Sequence, residues 1–505
     1  MNTEYCRWIN SEKVDAQTKL ELAAIKDDEI AIKERFERPM QFGTAGLRSI
    51  MSAGISRMGL AELIMKSDAV NRGVAIAYDS RKNSELFART AARVLAAYNI
   101  KVYFFDSLRP TPELSFAVLE YDCIAGINIT ASHNPKEYNG YKVYWENGAQ
   151  LPPEHAETVS EAIAKTDIFE DVRYADFDTA VKDRIINIIG KETDEKFIKA
   201  VLGCRICPEM TERHGNDLNL IYTPLHGAGY RLVPEVLKRA GLANLKTVES
   251  QMTPDGSFPT VDSPNPENKE CFELAITLAH DLNSDCELII GTDPDGDRLG
   301  VVIKDDKNNY LVLNGNQIGA LLIDYIIKGK VLHNNMPENA CAIKSIVSGN
   351  LFDAICEKAN VHHQNVLTGF KYIGEKIEEF EKSKSHAFIF GYEESQGYLS
   401  GGYVRDKDAV AASLLITEAA SFYKSQGKTL YCVLQELYSE HGYYKEAVLN
   451  NIVSGIDPMS AMTDIMRSLR DCGLSVIGGV DVVAIRDYKS GIRKDLRTGQ
   501  SQPTG

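Results

Sequence analysis

Ser132 and its neighbours form the first group of residues whose types and spacing could do chemistry. The apolar run 124–130 predicts a buried strand, and Asn134-Pro135 predicts a turn directly after it. Ser132 and His133 are therefore expected at the carboxyl end of a strand, where ligand sites of open α/β sheets gather. A serine beside a histidine, followed by Lys142, is a candidate nucleophile with proton-transfer and phosphate-binding help. The structural alternative is an ST-turn in which Ser132 only caps the chain reversal.

Asp293, Asp295 and Asp297 form the second group, which directly follows another apolar strand. Three carboxylates at alternate positions of a loop supply the hard oxygen ligands that Mg²⁺ prefers, so we predict one Mg²⁺ per chain here. An EF-hand is excluded because its sixth and twelfth positions, Gly and Glu, are Arg298 and Lys304 in this chain. A solvated acidic turn is the alternative, although clustered carboxylates repel one another without a cation. Arg298 could hold a phosphate through two guanidinium nitrogens.

Glu393 and Ser395 form the third group, in a glycine-bounded loop after a further apolar strand. A carboxylate accepts hydrogen bonds and a hydroxyl can donate or accept them, which suits the paired hydroxyls of a sugar. An ordinary acidic turn is the alternative for this loop. Further candidates for substrate or anion binding are Thr368, Gly369, Lys371, Arg405, Lys407 and, in a glycine-rich loop near the N-terminus, Arg48. The basic residues of this set are also compatible with ordinary surface charges.

The elements that must position these groups alternate between strand and helix. After a helix at residues 11–38, the pattern predicts a first β-α-β-α-β unit with a parallel sheet at residues 74–130. The pattern restarts near residue 218 and again near residue 317, which predicts serial α/β domains with mixed or parallel sheets. The tail predicts an α+β region with strands at 444–449 and 480–485, a helix at 461–470, and a polar loop at 490–505. The predicted domains are residues 1–205, 206–312, 313–440 and 441–505.

Composition excludes several classes of function. The 505 residues carry a formal net charge of −15 and no long Lys/Arg run, which argues against nucleic-acid and anionic-membrane partners. No window approaches 18 uninterrupted apolar residues, and residues 1–15 lack the apolar stretch of a secretory signal. Ten scattered cysteines suit a reduced, cytoplasmic enzyme. Cys204 and Cys207 are the only close pair, and no second pair with zinc-site spacing accompanies them.

In combination the three groups resemble the α-D-phosphohexomutase family. The motifs that carry the resemblance are Thr130-Ala-Ser-His-Asn-Pro135, Asp293-Pro-Asp-Gly-Asp-Arg298 and Glu393-Glu-Ser395. Three further segments resemble the phosphoglucomutase branch that includes phosphopentomutase-type enzymes: Gly43-Thr-Ala-Gly-Leu-Arg48, Tyr222-Thr-Pro-Leu-His-Gly227 and Thr368-Gly-Phe-Lys-Tyr-Ile-Gly374. The resemblance covers nearly the whole chain, and its first two motifs are specific.

The resemblance implies four domains around one central cleft, with roles for the candidate residues. Ser132 becomes a phosphoserine that shares Mg²⁺ with Asp293, Asp295 and Asp297. Glu393 and Ser395 are implied to contact the sugar hydroxyls, and Lys142 is implied to act as a general acid/base. Arg48 and Arg298 are implied to lie near the phosphoserine. Phe370 stands where some members have a histidine. The family's Ser-Gly-Thr-Glu-Pro-Lys-like fourth loop is absent from these 505 residues, so we expect a C-terminally shortened chain with an incomplete last domain.

The implied reaction is reversible phosphoryl transfer between glucose 1-phosphate and glucose 6-phosphate, with glucose 1,6-bisphosphate as intermediate and activator. We expect a small-molecule sugar phosphate as the partner and a monomer or weak dimer as the assembly. Mannose and pentose phosphates are alternative substrates within the family. A haloacid-dehalogenase-like phosphatase that uses Asp293 as its nucleophile is an alternative from another class. A sugar-phosphate-binding regulator is the non-enzymatic alternative.

Overall fold

The computed structural model describes residues 2–14, 16–36, 47–50, 72–152, 155–157, 159, 161, 167, 169–282, 286–447 and 458–504. Its contacts divide the chain into two units, which are described separately. The larger unit contains residues 1–27 and 35–445, and the smaller unit contains residues 28–34 and 446–505. Among the helices of these described residues, none has the length and apolarity that crossing a membrane requires.

A mixed sheet in the larger unit holds the first candidate group. Its strand order is β1-β5-β4-β2-β3-β6, and these strands are β1 (Leu47–Ile50), β2 (Val74–Tyr78), β3 (Val102–Phe105), β4 (Ala125–Ile129), β5 (Tyr138–Trp145) and β6 (Ile186–Ile189). β2, β3, β4 and β6 are parallel, while β5 pairs antiparallel with both β4 and β1. The parallel arrangement predicted for residues 74–130 is confirmed in β2, β3 and β4, and the antiparallel β5 makes the whole sheet mixed. The pattern gave no sign of β5 because its interior is buried continuously and includes Asn139, Gly140 and Lys142.

Two further sheets of the larger unit hold the other two groups. The second sheet has the order β11-β10-β9-β7-β8, with β7 (Leu220–Thr223), β8 (Leu245–Thr247), β9 (Leu288–Thr292), β10 (Leu299–Lys304) and β11 (Tyr310–Leu313). The third has the order β13-β12-β14-β15, with β12 (Ala340–Ser345), β13 (His362–Val366), β14 (Ala387–Glu393) and β15 (Gly397–Leu399). Each combines parallel pairs with an antiparallel edge. The prediction of serial α/β sheets is confirmed.

The helices occupy the connections between these strands. In chain order they are α1 (Thr3–Asn10), α2 (Ala16–Ala24), α3 (Glu29–Phe36), α4 (Ser84–Ala97), α5 (Thr111–Glu120), α6 (Phe177–Lys182), α7 (Lys191–Leu202), α8 (Pro208–His214), α9 (Gly229–Arg239), α10 (Glu249–Met252), α11 (Glu273–Asp281), α12 (Gly315–Leu332), α13 (Leu351–Lys358), α14 (Phe370–Ser383), α15 (Ala409–Lys424), α16 (Leu430–His441) and α17 (Pro458–Cys472). α15 is buried from Ala409 to Tyr423, as expected for a helix that is apolar on every side. It packs against α8, α9 and α12, so it joins the second and third sheets in one core.

The single helix predicted at residues 11–38 was wrong, because the described part of this range forms two short helices, α2 and α3, which a separate α1 precedes. α1 begins earlier, where the Asn2 side chain accepts hydrogen bonds from the backbone of Glu4 and Tyr5. It ends at Ser11, whose backbone is extended. The Asp28 side chain accepts from the Ala31 backbone and starts α3. The capping side chains thus start separate helices in a stretch where the spacing of apolar residues predicted one continuous helix.

The smaller unit contains α17, the hairpin β16 (Val476–Ile477) with β17 (Val480–Asp481), and an antiparallel meander. The meander strands are β18 (Ala484–Asp487), β19 (Ile492–Asp495) and β20 (Ser501–Pro503). The loop predicted at residues 490–505 was therefore wrong, since β19 and β20 are exposed strands without a buried alternation. The predicted strand at 444–449 is absent from the described residues 444–447, and its remainder lies outside them.

Candidate active site

Each of the three candidate groups lies where a strand of the larger unit ends. Ser132 follows β4, Asp293 follows β9 and Glu393 is the last residue of β14. Antiparallel pairing between Arg298 and Gly397 connects the loop after β9 with the loop after β14. The site is thus assembled from the strand-end loops of three sheets.

The Ser132 side chain points into the protein, toward the loop that carries Asp293, Asp295 and Asp297 (the Asp loop). Its hydroxyl donates to Asp293 Oδ2 over 2.7 Å, and its Oγ lies 3.2 Å from His133 Nδ1. Ser132 is buried and adopts the left-handed backbone conformation, with φ at 53°. The hydroxyl that accepts a backbone N–H in this turn belongs to Thr130, which bonds the Ser132 amide at 2.8 Å. The hydroxyl that caps this turn therefore belongs to Thr130, which contradicts the alternative in which Ser132 caps it. The Ser132 hydroxyl instead connects the first sheet with the second through Asp293.

Asp293, Asp295 and Asp297 converge in a fully buried cluster. One carboxylate oxygen of each lies within 4.8 Å of the others. The Oδ1 atoms of Asp295 and Asp297 are buried and have no hydrogen-bond partner among the described residues. Burial and the two neighbouring carboxylates raise the pKa of Asp293 well above its usual range. Burial also opposes ionisation of Asp295, but the Lys142 ammonium outweighs it and holds the pKa of Asp295 below its usual range.

Two buried lysines partly neutralise this cluster. Lys142 lies in β5 opposite Asn128, and its Nζ donates to Asp295 Oδ2 at 2.7 Å and Asp297 Oδ2 at 3.2 Å. Lys407 Nζ lies 3.3 Å from Asp297 Oδ2 and 3.1 Å from Asp406 Oδ1. The attraction of these carboxylates outweighs burial and keeps the pKa of Lys407 above its usual range. With Asp406 included, four carboxylates and two ammonium groups leave two formal negative charges, in keeping with a cation site.

Thr111 contributes a contact that the sequence did not indicate. Its hydroxyl donates to Asp295 Oδ2 at 2.7 Å, and its backbone N–H donates to the Asp295 carbonyl at 2.7 Å. Asn128 in turn donates to the Thr111 hydroxyl at 2.6 Å. The first turn of α5 therefore fixes the middle carboxylate of the cluster from the side of the first sheet.

The loop after β14 meets the segment that carries Thr368 and Gly369. The Gly369 backbone N–H donates to Glu393 Oε1 at 2.6 Å, while Thr368 is exposed and Ser395 is half-buried. Burial raises the pKa of Glu393, although the Lys407 ammonium opposes this effect. Lys371 lies with its Nζ 5.3 Å from the centre of the Tyr372 ring.

The predicted arginines are less closely grouped than the carboxylates. Arg298 donates its backbone N–H to Asp293 Oδ1 at 3.0 Å, and its Nη1 lies 3.4 Å from Glu267. The Arg405 guanidinium donates to Glu381 at 2.6 Å and to the Gly402 carbonyl. Its partners therefore lie in α14 and in the segment after β15, both of which belong to the third sheet's part of the chain. Arg48 lies in β1 opposite Gly140, and its side chain is outside the described part of the chain, as is most of its glycine-rich loop.

Comparisons with known proteins agree with this geometry. Three models of the phosphoglucomutase/phosphomannomutase alpha/beta/alpha domains match the chain, domain I at residues 39–169, domain II at 195–307 and domain III at 314–441. The second segment starts before the predicted boundary at residue 206, and the domain limits stay a prediction. A phosphoglucomutase of Staphylococcus haemolyticus is 36% identical over 484 residues, which cover 91% of this chain and 83% of that protein. The chain belongs to the phosphoglucomutase/phosphomannomutase family.

Other members of the family support the same assignment. A phosphoglucomutase of Staphylococcus aureus strain MRSA252 is also 36% identical, over 92% of this chain and 83% of that protein. Two solved structures share the fold. A phosphoglucomutase/phosphomannomutase family protein from Burkholderia thailandensis is 17% identical with a TM-score of 0.58, over 79% of this chain and 80% of that one. The open form of parafusin from Paramecium is 15% identical with a TM-score of 0.62, over 92% and 84%. Family membership removes the haloacid-dehalogenase-like alternative.

The loop that carries Asp293, Asp295 and Asp297 fits a magnesium ion by the chemistry of its donors. All the candidate ligands are carboxylate oxygens, which Mg²⁺ prefers, and the two unpartnered Oδ1 atoms are buried beside them. A buried carboxylate oxygen without a partner is costly, and a cation would supply the missing interaction. The residues present therefore suit the ion.

Arg81 is a second residue near the site, after Thr111, that the sequence did not single out. Its guanidinium donates to the backbone carbonyls of Ser132, Pro135 and Tyr138 at 2.5, 2.9 and 3.0 Å. The group is buried and lies 3.3 Å from Asp79 Oδ2. The planar Arg81 guanidinium thus holds the turn in which Ser132 adopts its left-handed backbone conformation.

We expect Arg81→Lys to lower kcat by about tenfold to hundredfold while KM changes little, because a lysine keeps the charge but cannot bond several carbonyls at once. Steady-state kinetics measure this split, and Arg89→Lys on the exposed face of α4 is the matched control. A proportionate fall of activity and melting temperature, with KM rising in parallel, would instead indicate general loss of folding.

Proposed function

We propose that this chain is a phosphoglucomutase that interconverts glucose 1-phosphate and glucose 6-phosphate. The observation that carries the proposal is the 2.7 Å contact between the Ser132 hydroxyl and Asp293 inside a buried carboxylate cluster. A nucleophilic hydroxyl placed directly beside a cation site is the arrangement that phosphoryl transfer needs. The choice of glucose is supported by the relatives, whose names are phosphoglucomutase.

In the proposed reaction, phospho-Ser132 donates its phosphoryl group to the free hydroxyl of glucose 1-phosphate. The new O–P bond forms on the sugar as the bond to Ser132 Oγ breaks, which gives glucose 1,6-bisphosphate and the free serine. The bisphosphate turns over in the site and returns its other phosphoryl group to Ser132. We assign His133, whose Nδ1 lies 3.2 Å from Ser132 Oγ, to the exchange of the serine proton.

Asp293, Asp295 and Asp297 would hold Mg²⁺ together with an oxygen of the Ser132 phosphate. When bound, the ion withdraws charge from the phosphoryl group and so makes serine an adequate leaving group. We assign Lys142 and Lys407 to the same electrostatic task, because their ammonium groups already contact Asp297. Lys142 is additionally a candidate acid/base group for the sugar hydroxyl.

We assign Glu393 and Ser395 to the sugar ring, with Thr368, Gly369 and Lys371 beside them. We expect Glu393→Gln to slow transfer from phospho-Ser132 to sugar by about 10- to 150-fold, since a hydrogen bond to a charged group contributes about 1.5–3 kcal/mol. Transfer to water should change little, because it needs no sugar contact. Because its pKa is raised, Glu393 should lose its charge, and transfer to sugar should slow, at a higher pH than for an ordinary glutamate.

Single-turnover decay of phosphorylated protein, with and without glucose 1-phosphate, separates these two rates. Glu394→Gln is the matched control, because Glu394 turns away and accepts from Ser345 and Ser348 at 2.8 and 3.0 Å. Equal slowing of both rates in Glu393→Gln would assign the loop a structural role.

The substrate proposal is tested by coupled assays with glucose 1-phosphate, mannose 1-phosphate and ribose 1-phosphate, each with the matching bisphosphate activator. We expect the largest kcat/KM with glucose 1-phosphate. A larger value with either of the others would replace the proposed substrate and leave the phosphoserine chemistry unchanged. The free thiols of the cysteines whose side chains the structure describes support a cytoplasmic location as part of the same proposal.

A further inference from the structure

We propose that Cys207, Glu209 and His333 form a zinc-binding site that joins the start of α8 to the end of α12. The site lies outside the carboxylate cluster and uses none of its residues. Sequence spacing had offered only Cys204 and Cys207 as a pair without further ligands. The fold supplies the others, since Glu209 lies in the first turn of α8 and His333 directly follows α12.

The three side chains already converge. A sulfur, a carboxylate oxygen and a ring nitrogen of the group lie within 4.8 Å of one another, and Glu209 Oε1 is 3.1 Å from His333 Nε2. Cys207 is buried, whereas the side chains of Glu209 and His333 are 28% and 34% exposed. One face of the group is therefore closed by protein, and the other is open for an ion to enter.

The position of the thiol is fixed by its surroundings. The Cys207 backbone N–H bonds Glu418 Oε1 at 3.0 Å and the Tyr325 hydroxyl at 3.2 Å. Gly329 lies one helical turn before His333, and a Cβ at Gly329 would come within 2.9 Å of Cys207 Sγ. The glycine thus lets the thiol approach the same face of α12 that ends in the histidine.

This donor set suits zinc better than magnesium. Zinc binds thiolate, imidazole and carboxylate together, with bonds of about 2.0–2.3 Å, whereas magnesium takes oxygen ligands. Tetrahedral bonds of that length separate ligand atoms by about 3.3–3.8 Å, close to the 3.1 Å that already separates Glu209 Oε1 from His333 Nε2. Rotation of these two partly exposed side chains would adjust the remaining separations, and a water would complete the four ligands.

Zinc binding at this site must release a proton. Burial raises the pKa of the Cys207 thiol to about 11, so the thiol is protonated at neutral pH until a metal displaces its hydrogen. Calorimetry in buffers of different ionisation enthalpy counts the released proton.

The test uses the full chain saturated with Mg²⁺, so that the carboxylate cluster is filled before zinc is titrated. We expect one zinc per chain, and His333→Ala should lower the affinity by at least about hundredfold, since losing a residue that merely supports a metal ligand already costs about 10- to 100-fold. His214→Ala is the matched control, because His214 ends α8 and its side chain is 37% exposed. Zinc affinity equal in the wild type and His333→Ala would overturn the proposal.

Cobalt(II) in place of zinc reports the sulfur ligand directly. We expect a thiolate-to-cobalt charge-transfer band that survives in Cys204→Ser and disappears in Cys207→Ser. Cys204 is the matched control because its thiol instead contacts the Ser400 carbonyl at 3.3 Å. Should Cys207→Ser fold poorly, Glu209→Gln at the surface tests the same ligand set, and it should weaken zinc binding. A cobalt complex without the band, or a band that depends on Cys204, would overturn the assignment.

Discussion

Ser132→Ala is expected to lower kcat for the interconversion of glucose 1-phosphate and glucose 6-phosphate by about ten-thousandfold or more. The variant loses the only oxygen that the described loop after β4 aims at Asp293. Neighbouring groups cannot replace it, because the Thr130 hydroxyl is occupied by the Ser132 amide and by Asp79 Oδ2 at 2.6 Å. Folding should persist, since alanine removes a single buried atom and Arg81 bonds the backbone of the turn.

The coupled assay measures the loss, and Ser425→Ala at the end of α15 is the control for removal of a hydroxyl outside the site. Peptide mass mapping after incubation with glucose 1,6-bisphosphate should locate a single acid-stable phosphate on Ser132. Full turnover by Ser132→Ala, or a hydroxylamine-labile phosphate on Asp293, would contradict a phosphoserine mechanism.

The local sequence was sufficient to predict the positions of the strands that end in the site. β4 lies within the apolar run 124–130 that predicted it, and β9 is the apolar strand predicted directly before Asp293. These strands are buried on both faces, so their sequences are short continuous apolar runs bounded by polar turns. The same property placed the serine loop and the Asp loop at strand ends. Most of the candidate site could therefore be located from the amino-acid sequence alone.

Residues that act across sheets could not be found from local pattern. Arg81, Thr111 and Asp406 each contact groups more than 50 residues away or in another sheet. Nothing in the immediate neighbourhood of Thr111 distinguishes it from an ordinary helix start. Its role depends on the packing of α5 against the second sheet's loop, which is a property of the tertiary structure. The zinc-site proposal has the same origin, since Cys207 and His333 are distant in sequence.

Lys407 and Arg405 show that charge and proximity in sequence do not determine the surroundings of a side chain. Lys407 and Arg405 were predicted together as anion-binding groups, yet the structure gives them different surroundings. Lys407 contacts Asp297 and Asp406, whereas Arg405 bonds Glu381 of α14. We accordingly propose that Arg405 orients the segment before α15 and that Lys407 acts in the site.

Asp295→Asn is expected to reduce mutase turnover by about thousandfold and to weaken Mg²⁺ binding strongly. The asparagine has the shape of the aspartate, and its carbonyl oxygen can still accept from Thr111 and Lys142, which both bond Asp295 Oδ2. The unpartnered Oδ1 is replaced by an amide nitrogen, which carries no charge and cannot ligate a cation. The variant thus removes ligation while it preserves the positioning contacts of the loop.

Turnover as a function of Mg²⁺ concentration, together with calorimetric Mg²⁺ titration, distinguishes the two roles of this carboxylate. Asp305→Asn is the matched control, because Asp305 is an acidic residue of the turn between β10 and β11 that bonds only its own turn in the described structure. If Asp295 is a ligand, saturating Mg²⁺ should restore part of the activity of the variant. Unchanged turnover with unchanged Mg²⁺ dependence would show that the carboxylate cluster does not bind the catalytic cation, because its central member would then contribute neither charge nor ligation.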